Sequence, residues 1–440
     1  SLQEALATLA ITELTRAANL GKARSRRRHG DGNGATVCTL PCLDGYVAIS
    51  PREERHWHAW LGVMDNPQWA QDPRFERKAD RERNWDALHA HLCEWSRKHS
   101  RAWVAKAAQQ ARVPSFALRK PEESLASAQL KARGFFQSKT LQDEIYQLPG
   151  RPYAITADEV DTPKLPASSS ATLPLDGVRV LDFSWVIAGP TTTRYLAALG
   201  ADVIKVEAPG AGDPGRASEL HSVLGQSKRA IVLDLKHPQG QALARKLATH
   251  SHIVLENFAT GVMERFGLGA ATLRSDNPGL VYVSASGMGR AGPEAHAVAY
   301  GTLLQCYSGF AELNGTPGQA PRVGMAWLDP MCGLMLAMLC HAAIESRRQG
   351  GGGVRIDFSM LEAMLWTMLE PLLAVQQNKV VEPVGNAAHG DVHDIWRTRG
   401  DDAWVALAAI SDAEWRRLCK RVPELRTLSA MDRKSRRANP

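Results

Sequence analysis

The sequence predicts an α/β protein: a Rossmann-like large domain on a parallel sheet, with a smaller α+β domain beside it. Three observations predict it. From residue 178 onward, short apolar runs without helical period alternate with helical patterns, as expected of parallel strands covered on both faces. Residues 158–177, DEVDTPKLPASSSATLPLDG, hold three prolines and a serine run and read as a linker. Upstream of it, a strand with alternating faces is followed by a Trp-rich helical stretch, an α+β pattern unlike the second half.

The elements follow in order. Residues 1–19 have helical periodicity, and Asp44–Ile49 (DGYVAI) reads as a half-buried strand. Arg52–His99 is helical and carries Trp57, Trp60, Trp69, Trp85 and Trp95. Past the linker, Val178–Phe183 (VRVLDF) is a buried strand, and the loop Ser184–Gly189 leads to Pro190, which suits a first helical turn. The helix Thr191–Leu199 stops at Gly200. Further strands are expected at Asp202–Glu207, Ile231–Leu235, Ile253–Glu256 and Leu280–Ser284, with a helix from Pro238 to about His250. Long helices run from Asp329 to Arg348 and from Ser359 to about Val375.

The 440 residues are 44% hydrophobic and 22% charged, which excludes collagenous, low-complexity and wholly disordered chains. A formal charge of +7 suits an anionic small ligand and argues little for nucleic acid, so no nucleic-acid partner is expected. The longest apolar run, Met331–Ile344, contains His341 and is too short to span a bilayer, and no secretory signal opens the chain; no membrane partner is expected. Seven cysteines, odd in number and scattered, read as reduced thiols of a cytoplasmic protein, with no metal-ligand spacing.

Sliding the sequence on itself by 358 residues pairs Ser1, Glu4 and Ala5 with Ser359, Glu362 and Ala363. The same ungapped offset pairs Asp44, Tyr46, Val47 and Ala48 with Asp402, Trp404, Val405 and Ala406, and Trp57 with Trp415. The chain then reads as the back half of one module (1–157), a linker (158–177), the front of a second module (178–375) and the start of its smaller domain (376–440).

Several motifs have both a functional and a plain reading. Val178–Glu207 is strand, loop, helix and strand closed by an acid, the spacing of a dinucleotide site, but SWVIAGP holds one glycine where three are needed. GAGDPGR (Gly210–Arg216) reads first as a turn, Lys22–His29 as a solvated basic loop, and Gly350–Gly353 as a helix stop entering a hairpin. His296 is a lone loop histidine. Asp329, before Pro330 at a helix start, is an N-cap on the plain reading and a nucleophile facing a pocket on the functional one.

Taken together, the blocks LDGVRVLDFSWVIAGPTTTRYLAALGADVIKVEAPGAGDPGR, IVLDLKHPQGQALARKLATHSHIVLENFATGVMERFGLG, NPGLVYVSASGMGRAGP and AYGTLLQCYSGFAELNGTPGQAPRVGMAWLDPMCGL resemble the family III CoA-transferases. This CaiB/BaiF group includes formyl-CoA transferase, carnitine CoA-transferase and the methylacyl-CoA racemases. Residues 1–157 resemble the family's later, smaller-domain half, so the repeat resembles two family modules in tandem. The resemblance implies the family fold, coenzyme A bound as acyl-CoA substrate, a carboxylic acid partner, no metal, and an interlocked homodimer or fused pseudo-dimer. It implies Asp329 as the nucleophile, forming an aspartyl-acyl anhydride and then an aspartyl-CoA thioester. It carries CoA contacts to Val186, Ile187 and Ala188, to Leu233 and Lys236, and to Asn257, Phe258 and Arg265.

The sequence departs from that pattern in places. Ala208 and Val298 stand where formyl-CoA transferase has cations, and Tyr300 and Gly301 stand where the racemases have a His-Asp pair. A transferase is therefore the expectation, with a racemase of the same fold or a catalytically silent CoA-binding module as alternatives. Contacts to the two acids are expected from loops such as Arg26–Gly34 and Gly385–His393.

Overall fold

In the computed structural model, residues 1–21, 37–157, 162–168, 170, 173–210, 212–386 and 392–438 are described. The basic run Lys22–His29, the loop Arg26–Gly34 and much of Gly385–His393 lie outside them. The first half holds strands β1 (Cys38–Cys42), β2 (Gly45–Ile49) and β3 (Ser115–Ala117) in one antiparallel sheet, and a hairpin of β4 (Phe136–Leu141) and β5 (Glu144–Pro149). The helices Glu54–Val63 and Trp85–Ser96 bury Trp57, Trp60 and Trp85 against β1 and β2, giving this half its own small core.

The main sheet uses β6 (Tyr153–Ala157), β7 (Arg179–Asp182), β8 (Asp202–Glu207), β9 (Arg229–Val232), β10 (Ile253–Glu256), β11 (Val281–Ser286) and β12 (Val354–Ser359). Its order is β6-β12-β11-β10-β7-β8-β9. All neighbours are parallel except β6, which runs antiparallel to β12 with Tyr153 opposite Phe358. Six strands thus follow the doubly wound order in which the chain leaves β7 and β10 in opposite directions, opening a crevice at their carboxyl ends. Alternate residues serve the two faces. Val180, Ile253, Leu255, Val281 and Val283 meet the helices Ala188–Ala198 and Leu328–Arg348, while Leu181, Val254 and Tyr282 meet the helix Pro238–Thr249 and its neighbours. Each such aliphatic residue contributes about 1.5–3 kcal/mol by leaving water.

The two halves share one core. Ala48, Phe116, Leu118, Leu130 and Phe135 of the first half pack in the same cluster as Leu303, Leu304, Tyr307 and Met364 of the second. Arg133 forms a buried ion pair with Asp357 at 2.8 Å and another with Glu362, and Gln129 donates to the carbonyls of Met288 and Ala291 at 2.8 and 2.7 Å. Part of the expected linker is pinned as well: Arg347 donates to Thr162 and to the carbonyl of Pro163 at 2.5 and 2.9 Å.

The 358-residue offset reappears in the elements. The helices Met360–Trp366, Leu369–Gln376 and Asp412–Arg421 fall on Leu2–Leu9, Ile11–Leu20 and Glu54–Val63 at that offset, and β14 (Trp404–Ala409) falls on β2, while its hairpin partner β13 (Val392–Arg397) starts four residues ahead of β1.

Several expectations need correction, among them the helix expected from Ser359 to about Val375, which divides into Met360–Trp366 and Leu369–Gln376. The helix expected over 1–19 breaks at Ala10, and the helix after β7 starts at Ala188, with Pro190 in its third position. A proline is tolerated there because the first-turn N–H groups have no helical acceptor. β9 lies at Arg229–Val232, an exposed edge strand, so the segment Leu233–Leu235 falls past its end. The glycine run ending at Gly353 feeds β12, whose neighbours β11 and β6 are remote in sequence, so no hairpin forms. The helix Leu328–Arg348 extends beyond the apolar run seen in the sequence. By length and composition it could cross a membrane, but it buries Leu336, Cys340 and Ile344 against the sheet and reads as a core helix.

Candidate active site

The crevice between β7 and β10 is built by side chains that hold backbone. Asp182, at the end of β7, is fully buried. It accepts from the Ser184 and Thr193 hydroxyls, both at 2.5 Å, and pairs with Lys228 at 3.2 Å. Burial alone would raise its pKa, but Lys205 and Lys228 together with those hydroxyls bring it down to about 2. The next loop is held at two points. Asn257, after β10, accepts the Trp185 N–H at 2.7 Å and donates to the Trp185 carbonyl at 2.8 Å. Buried Asp213 accepts the Val186 N–H at 3.1 Å and the Gly215 N–H at 2.7 Å, so the Asp213–Gly215 turn clamps this loop. Val186 is thereby held at φ 69°, a conformation β-branched residues rarely adopt.

Four of the eight CoA positions implied by resemblance line two cavities at this crevice. Leu233, Lys236 and Phe258 line one cavity of about 310 Å³ together with Trp185, Val206 and Val262. Phe258 meets Trp185 edge-on, with ring centroids 5.1 Å apart. Lys236 is exposed at that cavity and makes no ion pair among the described residues. Val186 instead lines a neighbouring cavity of about 330 Å³ with Lys205, Arg216, His221 and Lys228. Asn257 lines neither of these two cavities; its amide is engaged on Trp185. Arg265 is exposed at the end of the short helix whose Val262 faces the first cavity. Two positions do not face the crevice in the same sense: Ile187 packs on Ile11, Leu220 and Leu224, and Ala188 is buried at the helix start. Glu207, placed for a ribose hydroxyl on the dinucleotide reading, is ion-paired with Arg216 and lies 3.6 Å from His221.

Asp329 does not cap its helix. The cap position is Trp327, and Asp329 sits in the first turn, where the helix dipole favours a carboxylate. Its carboxylate lies against Gly301: a Cβ there would be 2.0 Å from Asp329 Oδ2. One turn on, Gly333 brings the helix so close to the start of Ala188–Ala198 that a Cβ would fall 2.9 Å from the Ala188 carbonyl. Asp329 is thus one helical turn from the loop that borders the crevice. The residue keeps partial solvent access, yet burial of its carboxylate is the largest influence on its pKa, raising it from 3.8 to about 6 against the opposing charge of Arg52. No other side chain hydrogen-bonds it among the described residues.

Arg52 comes from the first half, just after β2. Its guanidinium lies 4.6 Å from the centroid of Tyr300 and 3.5 Å from the Thr302 hydroxyl, on either side of Gly301. A larger cleft of about 1030 Å³ is lined by Arg119, Tyr307 and His296; Asp329 does not line it, and His296 is exposed there. Among the described residues no group of three or more His, Cys, Asp or Glu is placed to hold a metal ion.

The family description "CoA-transferase family III" matches residues 1–168 and again 175–439. The chain belongs to the family III CoA-transferases. It is 34% identical over 268 residues to the succinyl-CoA–D-citramalate CoA-transferase of Chloroflexus aurantiacus, covering 58% of this chain and 66% of that one. A Mycobacterium tuberculosis chain described as a probable CoA-transferase aligns over 417 residues at 25% identity, 86% of this chain and 52% of its own. This chain therefore spans under two thirds of the length of those relatives. A solved CAIB/BAIF family protein from Brucella suis shares the fold, with a TM-score of 0.53 and 29% identity over 61% of this chain and 75% of that one.

Trp185, Asp213 and Arg52 escaped the sequence reading. Trp185 sits inside a block already matched to the family and could have been flagged as the aromatic residue of the first loop. Arg52 stands in PREER, where local acids suggest ordinary surface pairing, so no local signal singles it out.

Proposed function

We propose that the chain moves CoA between an acyl-CoA and a free carboxylic acid, with Asp329 as covalent nucleophile. The observation that carries the reading is the Asp329 carboxylate itself. It is seated on Gly301 without a hydrogen-bonding side chain, with burial raising its pKa to about 6. Such a group is ionised at neutral pH, and its lack of solvation makes it more basic than an ordinary carboxylate.

The steps balance without net proton transfer. An Asp329 oxygen attacks the thioester carbonyl, and the C–S bond breaks to release CoA thiolate, leaving a mixed anhydride. The thiolate attacks the Asp329 carbonyl, expelling the donor carboxylate and forming an aspartyl-CoA thioester. The acceptor carboxylate then attacks that thioester. The freed thiolate takes the acceptor's acyl group from the new anhydride and regenerates Asp329. Covalent capture keeps the activation of the thioester from being lost to water.

In this reading the 310 Å³ cavity takes the adenosine end of CoA between Trp185, Leu233 and Phe258, with Lys236 and Arg265 supplying charge for phosphates. Val186 lines the neighbouring cavity, and Ala188 packs against Gly333, one helical turn from Asp329. Gly301 argues against racemisation: an acid or histidine there would have to displace the Asp329 carboxylate. The docking of residues 1–157 on the second half supports a fused pseudo-dimer or an interlocked homodimer as the working assembly. The odd, scattered cysteine set supports a cytoplasmic setting.

The test is an exchange assay with a panel of acyl-CoAs and isotope-labelled free acids. Label entering acyl-CoA, lost in Asp329→Ala, is expected. Deuterium wash-in at the α-carbon without exchange between acids would replace the transferase reading with a racemase. CoA binding with neither signal would leave a silent binding module.

A further inference from the structure

Four charged residues follow one another after β2: Arg52, Glu53, Glu54 and Arg55. Both acids are already taken. Glu53 holds Arg55 at 2.9 Å, and Glu54 holds Arg81 at 2.8 Å. Arg52 is left half-buried, with no ion pair among the described residues and only long contacts to the hydroxyls of Ser50 and Thr302, at 3.4 and 3.5 Å. A half-buried guanidinium without a counter-ion is costly unless an anion completes it. Asp329 feels the charge of Arg52 without forming an ion pair with it.

The residues between them define the setting. Tyr300 stacks under Arg52, Thr302 contacts it, and Gly301 carries the Asp329 carboxylate. In the resting enzyme the negative charge on Asp329 balances Arg52 at a distance. Once Asp329 is acylated or thioesterified that charge is gone, and Arg52 is uncompensated when a free carboxylate has to enter.

We propose that Arg52, supplied by the first half of the chain, is the binding residue for the substrate carboxylate. It receives the acceptor acid in bidentate fashion and orients it toward the Asp329 acyl carbon. A planar, permanently charged fork suits a carboxylate better than an ammonium does. The inference rests on the transferase reading and deepens it by assigning the acid's subsite to a half of the chain that does not carry the nucleophile.

The test compares Arg52→Gln and Arg52→Lys with the wild type in the exchange assay, varying each substrate in turn. Losing a charge-assisted contact is expected to raise KM for the free acid by roughly 10–100-fold, well beyond any change in KM for acyl-CoA, with Arg52→Lys recovering part of it. A second measurement needs no variant. Phenylglyoxal modification of wild-type Arg52, mapped by mass spectrometry, is expected to be suppressed by the carboxylic acid and not by its amide. Exchange by wild type with an unchanged acid KM in Arg52→Gln, or equal protection by acid and amide, overturns the assignment and leaves the transferase reading standing. A wild type that exchanges nothing overturns both.

Discussion

Replacing Asp329 by asparagine is expected to abolish transfer and, at neutral pH, to stabilise the fold. The raised pKa carries the argument: from 3.8 to about 6 is roughly two units, and each unit is about 1.4 kcal/mol of preference for the protonated form. Between those two pH values the folded chain holds more protons at this site than the unfolded chain. The contribution of Asp329 to stability therefore falls as pH rises from about 4 to 6, and its full cost is present above that. Two units, already net of the opposing charge of Arg52, set an upper bound near 3 kcal/mol; partial solvent access brings the expected gain to about 1–2 kcal/mol. The assay is urea denaturation of wild type and Asp329→Asn at pH 7.5 and pH 4. The variant is expected to be the more stable at pH 7.5, with the gap closing toward pH 4. A variant that is less stable at pH 7.5, or a gap independent of pH, would refute a buried and destabilised nucleophile.

Other expectations follow from neighbouring residues. Asp182→Asn leaves Lys228 buried without its anion and is expected to cost about 3–5 kcal/mol at pH 7. In the wild type the contribution of that lowered pKa is present above about pH 4 and is lost as pH falls toward 2, readable by acid titration of the fold. Gly301→Ala, measured by steady-state kinetics, is expected to lower kcat about 100-fold through displacement of the Asp329 carboxylate, with little effect on CoA affinity. Lys236→Ala and Arg265→Ala are each expected to weaken CoA binding roughly 3–10-fold in calorimetry, with the loss shrinking as salt rises.

Much of the sheet was legible because its strands are apolar on both faces. Ile253–Glu256 lies where its unbroken apolar run places it. The apolar pattern points to Ile231–Leu235 and not to Arg229–Val232 because an exposed edge strand has no buried face to mark it, whereas Leu233 and Leu235 are apolar for the sake of a cavity. Pro190 pointed to a helix start but not to the turn preceding it, since proline is tolerated anywhere in the first turn. The proposal of Asp329 as the reactive acid rests on family resemblance; local sequence favours a cap equally. Its seat on Gly301 is a contact between different helices, and the approach of Arg52 crosses from one half of the chain to the other. Neither leaves a mark in local periodicity or propensity. The clamp of Asp213 on Val186 is likewise tertiary, although the Gly-Asp-Pro-Gly turn that carries it was visible.

The most direct test of the account is covalent. The wild-type chain is incubated with acyl-CoA and trapped with hydroxylamine, and its peptides are mapped by mass spectrometry. An aspartyl hydroxamate is expected at Asp329, dependent on acyl-CoA and gone when the acceptor acid is supplied in excess during turnover. Acyl-CoA turnover with Asp329 unmodified, or with the adduct on another residue, would contradict it.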